Sequence, residues 1–223
     1  MVSLGGIYFL GKEIEKNQSE ALRFYQSAAD LGNDSALYMM GLFYEGGLGV
    51  RKDSQRAFKN YVEAASKGNS DAQFKLGVYF SKGMRGVRKN LPEAVRYLKL
   101  STENGNETAR GYLLALWSQK KLQGLTELEV LDYAHQASRA GDEFAEFSRI
   151  ILMGLYADEK SAVADKAKAR GWYVVLQRQG SVKLKRSLAR IPEDEFSKLT
   201  AEQLAASDKW AEACISSEYR QCD

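Results

Sequence analysis

Few side chains in this sequence could do chemistry, and their spacing narrows what that chemistry is. There is one histidine, His135, set among Tyr133, Ala134 and Ala137 on a predicted helix. A metal centre needs companions for it, and no His/Cys cluster exists, so no metal and no cofactor are expected. No Ser/His/Asp arrangement can form except through that residue. Carboxylates such as Asp71, Glu103, Glu127, Glu129, Asp142 and Glu143 gather at predicted helix starts, where the helix dipole favours them, and no facing pair suited to acid–base work is visible. The expectation is a protein without catalytic activity. A basic stretch, Lys166, Lys168, Arg170, Arg178, Lys183, Lys185, Arg186 and Arg190, lies beside Trp172 and Tyr173. It suits a solvated face or an acidic protein partner better than nucleic acid, which would want stacking aromatics free of the core. The glycine-rich loops Gly46–Val50 and Gly83–Val87 lack the preceding strand and the Gly-Lys-Ser/Thr ending of a phosphate site, and they occur twice, so they read as turns.

Cys214 and Cys222 stand eight residues apart. On one unbroken helix their Cα atoms would be about 12 Å apart, and a disulfide needs about 4.4–6.8 Å. A bridge therefore requires the chain to turn back after about Ser216. The alternatives are a bridge, implying an oxidising compartment, or two free thiols.

The elements that must position these residues are periodic. Gly32, Gly68, Gly105, Gly141 and Gly180 are spaced by 36, 37, 36 and 39 residues. Eleven before each stands Ala21, Ala57, Ala94, Val130 or Ala169, and seven before each stands Tyr25, Tyr61, Leu98, Ala134 or Tyr173. Ala36, Ala72, Ala109 and Ala145 stand four after the first four glycines. Within each period, apolar residues recur at helical spacing. Gly5, Gly41 and Gly77 share one repeat position inside a helix, at about 1 kcal/mol each against alanine, which implies close approach by a partner helix. Asn17, Asn90, Thr126 and Thr200, each followed three residues later by Glu or Gln, read as capping boxes. Asp53 reads as a cap and Pro92 as a first-turn residue. Gly32, Gly68, Gly105 and Gly141 read as left-handed helix stops.

This pattern resembles the Sel1-like repeat family, related to the tetratricopeptide arrays. The second unit carries the likeness at Ala36, Met40, Gly41, Tyr44, Gly46, Gly49, Val50, Asp53, Ala57, Tyr61, Ala64, Ala65 and Gly68. The third keeps Ala72, Leu76, Gly77, Phe80, Gly83, Gly86, Val87, Ala94 and Gly105. The resemblance implies an all-α, right-handed solenoid of helix pairs, with units 1–32, 33–68, 69–105, 106–141 and 142–180, then capping helices in 181–223 of the same domain. Some secreted Sel1-like proteins staple their repeats with cysteines at the spacing seen here. The family also implies a non-catalytic scaffold that binds a protein or peptide on a concave face lined by the first helix of each unit. The residues expected there are Tyr38, Leu42 and Glu45, then Phe74, Val78 and Ser81, then Tyr112, with Tyr38 and Phe74 forming an aromatic ladder. The alternative is that they complete the core between first helices. A sharper version of the function is an immunity protein that blocks a secreted toxin.

Net charge is +3 with acids and bases interspersed, so composition gives no nucleic-acid or membrane signal. No apolar run reaches the length of a membrane span. A monomer is expected rather than an obligate oligomer. The opening MVSLGGIYFL has no basic lead and no cleavage site, and it falls inside a predicted helix. That reads as a trimmed or internal start, and with a signal peptide removed the protein would be periplasmic or secreted, otherwise cytoplasmic.

Overall fold

The same few residues end one helix and begin the next, and they set the fold. At Gly32, Gly68 and Gly105 the backbone is left-handed, with φ of 79°, 93° and 85°. The glycine N–H donates to Ala29, Ala65 or Thr102, and the following Asn33, Asn69 or Asn106 N–H donates to Ala28, Ala64 or Ser101. This is the Schellman closure. Each of those asparagines then caps the next helix, its side-chain oxygen accepting from the N–H of Ala36, Ala72 or Ala109. One Gly-Asn pair therefore satisfies orphan carbonyls behind it and an orphan amide ahead.

The computed structural model describes residues 2–11, 15–84, 86–119, 124–140, 145–158, 165–181, 184–185, 188–189, 191, 196–219 and 222. Among them are eleven α-helices and no strand: α1 Val2–Leu10, α2 Gln18–Asp30, α3 Asp34–Gly46, α4 Ser54–Ser66, α5 Ser70–Lys82, α6 Leu91–Glu103, α7 Glu107–Ser118, α8 Glu127–Ala140, α9 Ala145–Ala157, α10 Lys166–Gln179 and α11 Ala201–Ser216. The all-α expectation is met. Gly141, residues 182–183, 186–187 and 190 of the Ser181–Ile191 stretch, and the middle of the 118–125 linker lie outside the described residues. The chain divides into two compact units, Met1–Leu113 and Leu114–Asp223, with the boundary inside α7.

In the first unit, α1–α2, α3–α4 and α5–α6 are hairpins built to one plan. The capping residue of each second helix donates its own N–H to a first-helix carbonyl: Asn17 to Tyr8, Asp53 to Tyr44 and Asn90 to Phe80, at 2.8–2.9 Å. This corrects two of the expected capping boxes. Asn17 and Asn90 do cap, accepting from the N–H of Glu20 and Glu93. Their own N–H groups are already spent on the first helix, so the glutamates turn instead to Arg23 and Arg96. Thr200–Gln203 forms a full reciprocal box, as does Thr126–Glu129.

The interior glycines have a specific cause. A Cβ on Gly41 would lie 2.4 Å from the Tyr61 ring, one on Gly77 2.5 Å from Leu98, and one on Gly5 3.0 Å from Tyr25. Each glycine is a seat for the large residue at one position of the partner helix, and Tyr61 and Leu98 are fully buried on theirs. Successive repeats are also tied by side chains. Asn69 and Asn106 donate to Asp34 and Asp71 one repeat back, and buried Gln73 links the Ala65 carbonyl to Asn104.

The second unit reuses the plan with other residues. The α9–α10 hairpin closes through Asp165 N–H to Tyr156 O at 2.8 Å. Counted from that bond, the position of Ala36 and Ala72 falls on the fully buried Ser148, not on Ala145. Trp172 rather than Tyr173 fills the core, while Tyr173 faces Phe196. Gly171 seats Trp210 of α11, a Cβ there meeting the indole at 2.6 Å. Two cations of the basic stretch find acids within the chain, Arg170 bonding Asp208 at 2.6 Å and Arg178 reaching Glu212 at 3.5 Å. Lys183, Arg186 and Arg190 lie outside the described residues.

Gly41→Ala is expected to lower stability by about 1–3 kcal/mol through overpacking against Tyr61, outweighing its gain of about 1 kcal/mol in helix propensity. Gly154→Ala, on an exposed helical surface with open space around it, should raise stability by up to that same gain of about 1 kcal/mol. Thermal melts of the two variants, moving in opposite directions, check the seat.

Candidate functional site

The residues expected to line a partner-binding face all lie on the first helices of the first unit. Tyr38, Leu42, Glu45, Phe74, Val78 and Tyr112 are half-buried, and Ser81 is buried. Tyr38 and Leu42 pack partly onto the core. They therefore serve as core margin and as surface together. The aromatic ladder takes a different form from the one expected. Tyr38 pairs with Tyr61 of its own hairpin at 5.8 Å, and Phe74 meets Tyr112 of the next repeat edge-on at 5.9 Å. Tyr38 and Phe74 do not stack on each other, because Tyr38 is drawn to the ring that sits on Gly41.

Between repeats runs a rung that sequence reading missed. Glu45 stands nine residues after Ala36, and Lys75 three after Ala72. They form an ion pair at 3.2 Å with side chains only 14% and 30% exposed. Tyr61 donates its hydroxyl to the same carboxylate at 2.7 Å. Burial alone would raise the Glu45 carboxyl, but hydrogen bonds with Tyr61 and Tyr79, with Lys75 beside them, hold it below its ordinary value. The Tyr38 phenol is pushed up to about 12 by burial and by the charges of Asp71 and Glu45. One repeat on, the same two positions hold Ser81 and Tyr112, whose hydroxyls are 3.0 Å apart. This explains why Tyr112 lies one step out of phase with Tyr38 and Phe74: it is the counterpart of Lys75. Recurrence of the +9 and +3 positions was the available signal.

His135 is half-buried against Tyr156 and Trp172, with Nε2 3.2 Å from the Tyr156 hydroxyl. Among the described residues no group of three or more His, Cys, Asp or Glu is placed to hold a metal ion. No helix among the described residues is long and apolar enough to cross a membrane.

Cys214 and Cys222 are bonded, with Cα atoms 4.9 Å apart. The chain turns back where expected, through Glu218 and Tyr219 at φ of 50° and 69°. Tyr219 N–H donates to Cys214 O and Glu218 N–H to Ile215 O. This is the Schellman closure again, without the glycine that normally makes it cheap. The turn lays the Tyr219 ring 3.4 Å from the Arg149 guanidinium, whose nitrogens also bond Ser138.

Helix hairpins in the first unit, each with a glycine seat and a Gly-Asn joint to the next, define a helical-repeat protein. The Sel1 repeat model matches residues 1–33, 34–69 and 70–106, so the chain carries three Sel1 repeats. Comparison with curated proteins finds no match. Among solved structures, a Sel1 repeat protein from Oxalobacter formigenes is similar with a TM-score of 0.62 and 25% identity, over 95% of this chain and 86% of that one. A protective antigen present in uropathogenic Escherichia coli strains and displaying an SLR fold gives a TM-score of 0.53 and 21% identity. There the match covers 99% of this chain and 54% of the antigen, so this chain spans about half of that protein, and the likeness is one of fold. Sel1 repeats generally mediate protein–protein interaction and generally serve as non-catalytic scaffolds.

Two tests follow from these side chains. Cys222→Ser is expected to cost about 2–3 kcal/mol in unfolding free energy, the loop-closure value for so short a ring, read from denaturant melts against the oxidised wild type. Burial, with Arg139 and Lys168 nearby and Asp132 opposing, pushes His135 down from an ordinary 6.5 to about 4. Between those values the unfolded state binds the extra proton and the folded state does not, so stability must fall as pH drops through that window. The melting temperature of His135→Phe should decline less from pH 6.5 to 4 than that of wild type.

Proposed function

We propose that this chain is a binding scaffold that holds a segment of a partner protein along the first-helix ridge of its first unit. The observation that carries this reading is the run of half-buried aromatic and aliphatic side chains, Tyr38, Leu42, Phe74, Val78 and Tyr112. Tyr38 and Leu42 pack partly on the core, Phe74 and Tyr112 pack on each other, and each of the five stays half-exposed. Rigid, partly exposed aromatics supply contact area at small entropic cost, which is why they anchor interfaces. The rungs Glu45–Lys75 and Ser81–Tyr112 hold adjacent first helices in register and leave few unspent charges along the ridge. A partner segment of alternating apolar residues suits such a strip. The Cys214–Cys222 bond favours an oxidising compartment such as the periplasm or the exterior.

Val78→Arg and Phe74→Ala test the ridge. Pull-down from a lysate of the source, with and without each change, should show a retained protein lost by at least about tenfold, equivalent to 1.4 kcal/mol. Melting temperature should move little for Val78→Arg, whose side chain reaches outward. If binding persists in both variants, the ridge is not the docking face. A retained toxin with its activity blocked would make the scaffold an immunity protein.

A further inference from the structure

The loop that precedes each second helix carries a second, independent surface. Lys16, Lys52 and Lys89 each stand immediately before the capping residue, Asn17, Asp53 or Asn90, and are spaced by 36 and 37 residues, the repeat itself. Their positions are fixed by one packing device. A Cβ placed on Gly11, Gly47 or Gly83, the left-handed residue that ends the first helix, would lie 2.9, 3.4 or 3.2 Å from the Cβ of Lys16, Lys52 or Lys89. The turn thus fixes each lysine stem at the same edge, where the Lys16 ammonium lies 5.5 Å from the centre of the Phe9 ring. Arg51 and Arg88 double the charge in the second and third repeats, and all five side chains are exposed.

In the second and third repeats the acids nearest these cations are spent elsewhere. The acid in or at the start of each second helix is matched to an arginine one turn on, as Glu20–Arg23, Asp53–Arg56 and Glu93–Arg96. Arg51, Lys52, Arg88 and Lys89 make no ion pair among the described residues. In sequence, the first repeat's loop also holds two acids, Glu13 and Glu15, between Lys12 and Lys16. The asymmetry extends to the whole unit. Met1–Leu113 holds 16 Lys and Arg against 12 Asp and Glu, whereas Leu114–Asp223 holds 16 against 17. The edges of the first two repeats are also continuous, since a Cβ on Gly49 would meet the backbone of Gln18 and Ser19 at 2.9–3.0 Å.

We propose that Lys16, Arg51, Lys52, Arg88 and Lys89 form a basic edge that docks an acidic segment of a partner protein. A linear row with about one cation pair per repeat fits an extended chain bearing carboxylates at intervals. Beside it, a cavity of about 500 Å³ lined by Tyr44, Val50, Arg51, Lys52 and Arg56 accepts side chains. A bilayer is the poorer fit. Leu48 and Met84 of these loops pack on the core, and among the exposed large hydrophobics only Leu10, at the end of α1, lies at this edge, too little to enter lipid. The capped ends of α2, α4 and α6 add only their dipoles to the local potential.

The test is fluorescence anisotropy of a labelled decaglutamate peptide with the full chain, at about 50 mM and about 500 mM NaCl, where screening changes most. Arg88→Glu with Lys89→Glu is compared with Lys67→Glu plus Lys209→Glu, which alters net charge equally at exposed sites off the edge. Circular dichroism verifies that both are folded. The expected result is salt-sensitive binding weakened about tenfold by the edge variant and less than about twofold by the control. Equal losses in both variants overturn the proposal, because net charge alone would then account for binding. So does absence of peptide binding at low salt, or binding to phosphatidylserine vesicles or duplex DNA in preference to the peptide. None of these readings depends on the first-helix ridge, whose own test uses Val78→Arg.

Discussion

A large side chain resting where a neighbouring helix has none is the contact on which this structure depends. Tyr61 on Gly41, Leu98 on Gly77 and Tyr25 on Gly5 each bring a second helix against a first. The bare glycine costs helix propensity of about 1 kcal/mol, and full burial of the opposing residue repays about 1.5–3 kcal/mol. The seat also fixes rotation of one helix about the other, because the ring fits only where the groove is. Everything on the first-helix ridge inherits its direction from that rotation. Tyr38 leans on the Tyr61 ring, and Glu45 receives the Tyr61 hydroxyl, so the ridge and the core share one residue.

The second constraint is the joint between repeats. A left-handed glycine followed by asparagine stops one helix and starts another within two residues, leaving little freedom in the angle between successive hairpins. The amide of the same asparagine then reaches back to Asp34 or Asp71. In the second unit the role passes to other chemistry, with Ser181 donating to Glu146 at the same separation of 35 residues. That unit keeps the hairpin bond at Asp165 and the glycine seat at Gly171, but the seated residue is Trp210 of the following helix. A plan can persist in geometry after its signature has left the sequence.

The two surfaces of the first unit arise from one architecture with different chemistry. Side chains on first helices emerge beside the core and are part apolar, which suits complementarity of shape. Loop residues before second helices lie where the acids at the helix starts are already engaged by their i+3 arginines. Surplus cations there act at longer range and steer association more than they hold it.

Periodic glycines, alanines and tyrosines were enough to read the helix pairs, the stops at Gly32, Gly68 and Gly105, and that Tyr38 and Phe74 share one position on first helices, because these follow from local backbone preference and from a spacing that repeats. Long-range pairing was not legible. The rungs Glu45–Lys75 and Ser81–Tyr112 use residues that look unrelated, and the Asn17 and Asn90 boxes failed because a tertiary bond had already taken the cap N–H. The turn at Glu218 that joins Cys214 to Cys222 runs against local preference, since neither Glu nor Tyr favours left-handed backbone. Sequence alone determined which segments are helices and where they end. Tertiary structure decided which rings share a contact, which charges are spent inside the fold and which are left for a partner, because those outcomes depend on distances between segments that no local preference encodes.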